Sequence, residues 1–182
     1  MGQFIKFVGE GQVQIMGTNS TGSHGANKFD YDRVFDWEST QADLYEQAVR
    51  PIVESVMDGY NGTVFAYGQT SSGKTHTMLG PNIVDETQRG MIPRMVSHIF
   101  SQIEQAPEEI EFVVKVSYVE IYMERVRDLM NPSAHDLKIR EHRGKGVYIE
   151  NVTEHYVAEE GQVYEIMAQG TSNRSIGATE MN

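Results

Sequence analysis

The chain has 182 residues, 39% hydrophobic and 23% charged, with a formal net charge of −11 and no cysteine. That length suits one domain with a sizeable core, and the acidic balance argues against nucleic acid as the main partner. Disulfides and cysteine-ligated zinc are excluded, no apolar run reaches the ~20 residues of a membrane helix, and the first residues carry no signal-peptide pattern, so the expectation is an intracellular protein without membrane insertion.

Phe4, Ile5, Phe7, Val8, Val13 and Ile15 mark two short strands between residues 4 and 16. Gly17 to Asn27, rich in Gly, Ser, Thr and Asn, reads as a flexible loop, and Lys28 to Phe35 alternates as one strand. From Thr40 onward, Leu44, Ala48, Val49, Ile52, Val53, Val56 and Met57 recur at helical spacing. Pro51 lies inside that pattern, removes a backbone donor and predicts a kink or a split near Arg50. Gly59-Tyr60-Asn61-Gly62 ends the helix, and Thr63 to Tyr67 reads as a buried strand.

Residues 68 to 75 then read GQTSSGKT, a full match to the phosphate-loop pattern G-x-x-x-x-G-K-[ST], in the order strand, loop, helix start that its mechanism needs. Gly68 and Gly73 let the backbone curl so that the N–H groups of Gln69, Thr70, Ser71 and Ser72 point into one nest. Lys74 would reach the β- and γ-phosphates, Thr75 would offer its hydroxyl to Mg²⁺, and the following helix start adds a positive field. The bland alternative is a chance Gly/Ser turn.

Leu79 to Gly90 is polar and reads as a surface loop. Pro93 suits a helix start, and Ile92, Val96, Ile99, Phe100 and Ile103 line one face of a helix that stops before Pro107. Ile110 to Tyr122 is a long strand candidate. Leu137–Glu141 and Val147–Asn151 flank Arg143-Gly144-Lys145-Gly146 as a hairpin. Val157 ends a last strand, and Glu159 to Ala168 forms a helix. Strands alternating with helices point to an α/β fold. From Arg125 to Lys145 the chain is net basic (Arg125, Arg127, Lys138, Arg140, Arg143 and Lys145 against Asp128, Asp136 and Glu141), which fits either a solvated hairpin face or an acidic partner.

Catalysis needs more than a phosphate grip. No apolar strand ends convincingly in an Asp that could hold Mg²⁺; Glu120 reads as a half-exposed strand residue and a weak candidate. The six histidines form no i, i+4 pair, and no G-x-S-x-G elbow appears, so catalytic residues are expected to be incomplete.

The run from Gly59 to Met78, GYNGTVFAYGQTSSGKTHTM, closely resembles the nucleotide-binding signature of kinesin motor domains. Phe29 to Asp36, Gly90 to Arg94, Val116 to Tyr122 with Arg127-Asp128-Leu129, and Ser172-Asn173-Arg174 are similar to further kinesin phrases, and the flavour is nearest the conventional, N-terminal-motor heavy chains. The resemblance implies a phosphate-loop NTPase of kinesin-motor type and a microtubule-dependent ATPase in the cytoplasm and cytoskeleton. It implies ATP or ADP on Gly68, Gln69, Thr70, Ser71, Ser72, Gly73, Lys74, Thr75 and His76, with Mg²⁺ on Thr75 and His76 beside the adenine. It puts Arg140, His142, Arg143 and Lys145 where similar motors touch acidic tubulin. The family's R-x-R-P strand is not present, its N-x-x-S-S-R-S-H sensor is met only at Asn182, and its D-L-A-G-S-E sensor is absent. The expectation is therefore a partial motor domain over 1–182 (strands and loop over 1–28, nucleotide-binding half over 29–182), lacking the first strand and the C-terminal half of the sheet and unstable or partly folded alone. A truncated non-motor module that holds nucleotide or a partner without turnover is the alternative; a small phosphate-loop kinase is weaker, since no arginine-bearing lid is seen.

Overall fold

The computed structural model describes residues 4–18, 24–144 and 146–174. The chain divides into two compact units, one up to Met95 and one from Val96.

In the first unit, β1 (Ile5–Val8), β2 (Gln12–Thr18) and β3 (His24–Asp30) form an antiparallel sheet in that order. Phe7 pairs with Val13 and Val13 with Phe29, so apolar residues face one another across the ladder. Trp37 meets Phe7 edge-on, with ring centroids 4.7 Å apart. Two sequence expectations are corrected here. The predicted loop over Gly17–Asn27 is largely strand, with Met16 paired to Ala26, so only residues 19–23, outside the described ones, remain between strands. The predicted strand Lys28–Phe35 stops at Asp30: the Tyr31 amide still reaches the Gly11 carbonyl opposite it, but the Val34 amide, bonded to the Glu10 carbonyl, has left that register.

The helical run after Thr40 divides into α1 (Gln41–Leu44), a π-helical turn (Tyr45–Val49) and α2 (Arg50–Met57). The split near Arg50 follows from Pro51, which has no N–H to donate. The Arg50 amide reaches back five residues to the Tyr45 carbonyl, as a widened turn requires. Tyr45, Val49 and Val53 recur every four residues and are buried. Burial pushes the Tyr45 phenol up to about 12, with Glu46 adding to the effect. Arg50 bridges Glu46 and Glu54, one turn away on either side.

The predicted buried strand Thr63–Tyr67 is not one. The segment joins no ladder among the described residues, and Phe65 and Tyr67 are 80% and 95% exposed. The β-branched and aromatic content is right for a strand, but burial needs neighbouring strands to supply it. Then come α3 (Lys74–Met78) and the loop to Gly90, which closes at its base with the Gly90 amide on the Leu79 carbonyl.

From Val96 onward α4 (Met91–Glu104) belongs to the second unit, where Val96, Phe100 and Ile103 join a core with Val114, Val116, Val157, Val163 and Ile166. The strands are short: β4 (Val114–Val116), β5 (Val119–Tyr122), β6 (Arg125–Asp128), β7 (His135–Leu137), β8 (Ile139–His142), β9 (Gly146–Ile149) and β10 (His155–Val157). The helix α5 (Glu160–Asn173) runs five residues past the predicted end. The long strand expected over Ile110–Tyr122 is broken into β4 and β5: residues 110–113 join no ladder, β4 pairs with β10, and β5 pairs with β6. All described ladders are antiparallel.

Candidate functional site

Gly68 to Gly73 of the GQTSSGKT motif lead from the preceding segment into α3, whose first turn holds Lys74 and Thr75. Each glycine has a separate steric task. A Cβ on Gly68 would collide with the Ser72 hydroxyl, which would have to turn away to admit it. Gly73 caps α3 at φ 92°, the left-handed region that favours glycine. Ser71 also lies left-handed, at φ 65°, which costs roughly 1–2 kcal/mol for a non-glycine residue. Gln69 and Ser72 close the turn through the Ser72 amide and the Gln69 carbonyl at 3.2 Å. Strain of this kind persists where the surrounding loop over-determines it, as in anion-binding concavities.

Lys74 follows directly. Its Nζ donates to the carbonyls of Gly68 and Gln69, both at 2.7 Å, so the ammonium is folded over the loop that precedes it. Thr75 is exposed in the first turn of α3. A cation held at the rim of a glycine-shaped loop, with a hydroxyl residue beside it, fits a phosphate chain and a hard divalent ion that prefers oxygen.

His76 is exposed on α3 and is met by Gln41 from α1. Gln41 Nε2 donates to the His76 carbonyl at 2.7 Å and lies 3.1 Å from its ring Nδ1. Sequence reasoning missed Gln41, which is thirty-five positions away and belongs to no motif used above. Beyond α3, Gly80 (φ 81°) and Gly90 touch so closely that a Cβ on either would strike the other's backbone. Arg94 fastens the same loop, donating from Nε to the Arg89 carbonyl and from a terminal nitrogen to the Glu86 carbonyl. Burial and the neighbouring Arg89 lower its pKa.

The other predicted residues lie in the second unit. Arg140 stands opposite Tyr148 on the exposed β8–β9 hairpin, and its Nε pairs with Glu150 at 3.2 Å. His142 Nδ1 accepts from the Gly144 amide at 3.1 Å, and Arg143 is exposed in the turn. Lys145 lies outside the described residues. Glu120 is not half-exposed as expected. Its side chain is 11% exposed and pairs with Arg174 at 3.3 Å and Arg127 at 4.0 Å, which explains its position without a metal. Among the described residues no group of three or more His, Asp or Glu could hold a metal ion. A cavity of about 310 Å³ is lined by Glu120, Arg125, Arg127, Asp128 and His135.

The loop and its neighbours define the class of protein, a phosphate-loop NTPase. Residues 6–182 match the family described as the kinesin motor domain, and the chain belongs to that family. It is 48% identical over 171 residues to the kinesin heavy chain of Syncephalastrum racemosum, covering 94% of this chain and 18% of that one. It is 47% identical over 163 residues to kinesin-related protein 3 of Dictyostelium discoideum, covering 88% of this chain and 14% of the relative. A solved structure of a fast kinesin, described for its ATPase mechanism and its interactions with microtubules, matches with a TM-score of 0.87 and 41% identity over 98% of this chain and 49% of its own. The chain thus spans about half of that solved chain and less than a fifth of these curated relatives. Its fold is the corresponding part of the kinesin-motor fold.

Proposed function

We propose that this chain is the ATP-binding part of a microtubule motor whose whole protein couples ATP hydrolysis to movement along microtubules in the cytoplasm. The observation that carries the reading is the phosphate loop itself. Gly68, Ser71 and Gly73 curl it and Lys74 lies over its carbonyls, in a chain of the kinesin motor domain family. Gly68 to Thr75 would bind the phosphates of ATP or ADP, with backbone N–H groups as donors and the Lys74 ammonium exchanging two carbonyls for phosphate oxygens. Mg²⁺, when bound, neutralises charge on the β- and γ-oxygens, and Thr75 would give it a hydroxyl. His76 would lie beside the adenine.

The exposed hairpin carrying Arg140, His142 and Arg143, with Lys145, would meet the acidic surface of tubulin; Arg140 is paired to Glu150, and Arg143 is exposed in the turn. Fluorescent ADP should bind the chain more tightly with Mg²⁺ than without, and Thr75→Ala should remove most of that difference. Co-sedimentation with microtubules should weaken in Arg143→Glu and fall with added salt, since the pairing is between exposed charges. Binding of ADP that ignored both Mg²⁺ and Thr75 would contradict the assignment.

A further inference from the structure

Gln41 sits in the first turn of α1, and the start of that helix is fixed from both sides of Thr40. The Asp43 amide donates to Thr40 Oγ1 at 3.1 Å while the Thr40 amide donates to Asp43 Oδ2 at 2.9 Å, a reciprocal capping box. Just before it, Asp36 Oδ1 accepts from the Glu38 and Ser39 amides, both at 3.1 Å. A residue mounted on this frame has little freedom to drift.

The contact made from that frame is specific about protons. One atom of Gln41 faces both the His76 carbonyl oxygen and the His76 ring Nδ1. A carbonyl oxygen can only accept, so the facing atom is the amide nitrogen with its two hydrogens; turning the amide over would set oxygen against oxygen. Ring Nδ1 must therefore accept the second hydrogen, and the ring proton belongs on Nε2.

We infer that Gln41 is a positioning residue for recognition of the nucleotide base: it holds the His76 ring in one orientation and in the Nε2–H tautomer. The inference rests on the reading above that His76 lies beside the adenine. A neutral ring held this way presents a flat π face and one donor, Nε2–H, which suits the π face and acceptor edge of a purine. Both hydrogen-bond contacts of Gln41 go to His76 and not to Gly68–Thr75, so its effect should fall on the base.

The test has two arms on the 182-residue chain. In the first, ¹⁵N NMR of the histidine rings, with His76→Gln identifying the His76 signals, should show a bare Nδ1 and a protonated Nε2. Gln41→Ala should bring the two tautomers towards a mixture. A merely structural role for Gln41 would leave the tautomer where it was, and that result would overturn the inference. In the second arm, calorimetry compares Mg²⁺–ADP with inorganic tripolyphosphate. Gln41→Ala should weaken ADP about three- to tenfold, the value of one modest hydrogen bond, and leave tripolyphosphate unchanged. Equal losses for both ligands, or none for ADP, would contradict a role at the base. Wild-type protein that bound neither ligand while its far-ultraviolet spectrum showed folded helix would overturn the nucleotide reading and the role at the base with it, while the ring spectra would still decide whether Gln41 sets the tautomer.

Discussion

Removing the Asp128 carboxylate would strip three backbone donors of their acceptor. Asp128 is 1% exposed; its Oδ1 accepts from the Met130 and Asn131 amides at 2.9 and 3.3 Å, and its Oδ2 from the Thr153 amide at 2.7 Å. The residue ties the end of β6 to the turn that follows it and to the segment leading into β10. Asp128→Ala should therefore lower the unfolding free energy by about 2–4 kcal/mol, read from the urea midpoint, because donors left without partners cost more than the bonds were worth. A midpoint shift within about 0.5 kcal/mol of wild type would refute this account of Asp128. Gly170 makes the opposite kind of demand. It lies in α5 with the Tyr118 ring where a Cβ would go, so Gly170→Ala should destabilise by roughly 1–3 kcal/mol, although alanine is the better helix former. Gly170→Ala paired with Tyr118→Ala should recover part of that loss if the clash is the cause. Neither role was legible beforehand. Arg127-Asp128-Leu129 stood out only as a family phrase, and a charge count cannot tell a solvated carboxylate from one turned inward onto amides.

At the scale of elements, sequence reading succeeded where the signal is local and failed where partners decide. The helix starting near Pro93, the β8–β9 hairpin around Gly144 and the split at Pro51 all come from residues that restrict their own backbone. The β5–β6 hairpin was invisible for the same reason. Its two-residue turn puts Met123 and Glu124 at φ 49° and 58°, where Asn-Gly or Asp-Gly is the usual sign. Thr63–Tyr67 failed differently, since its composition is that of a buried strand and only the ladder is lacking. The mount of Gln41 gives a pH prediction at this scale. The Thr40 hydroxyl, then the Thr40 amide, hold the Asp43 carboxyl below its ordinary 3.8. A carboxylate with a depressed pKa stabilises the fold above that value and loses the contribution as the pH falls through the lower folded one. The Thr40 amide resonance should accordingly titrate with a midpoint below 3.8 and stay still in Asp43→Asn; a midpoint at or above 3.8 would show the capping box is not formed in solution.

For the molecule as a whole, the signature around the phosphate loop located the family, and the family match over residues 6–182 agrees with it. The signature could not show how the loop arranges itself. Lys74 folded back onto two carbonyls, and the strain placed on Ser71, are properties of the closed loop and of no single residue. The central claim is that this loop grips a nucleoside triphosphate through Lys74. Calorimetry of Mg²⁺–ATP against the wild-type chain and Lys74→Ala tests it most directly. Wild-type protein should bind, and Lys74→Ala should weaken that binding by about 10- to 100-fold, the range expected for losing charge-assisted bonds to phosphate. Equal binding by the two proteins, or none by the wild type under conditions where its far-ultraviolet spectrum shows folded helix, would contradict the claim.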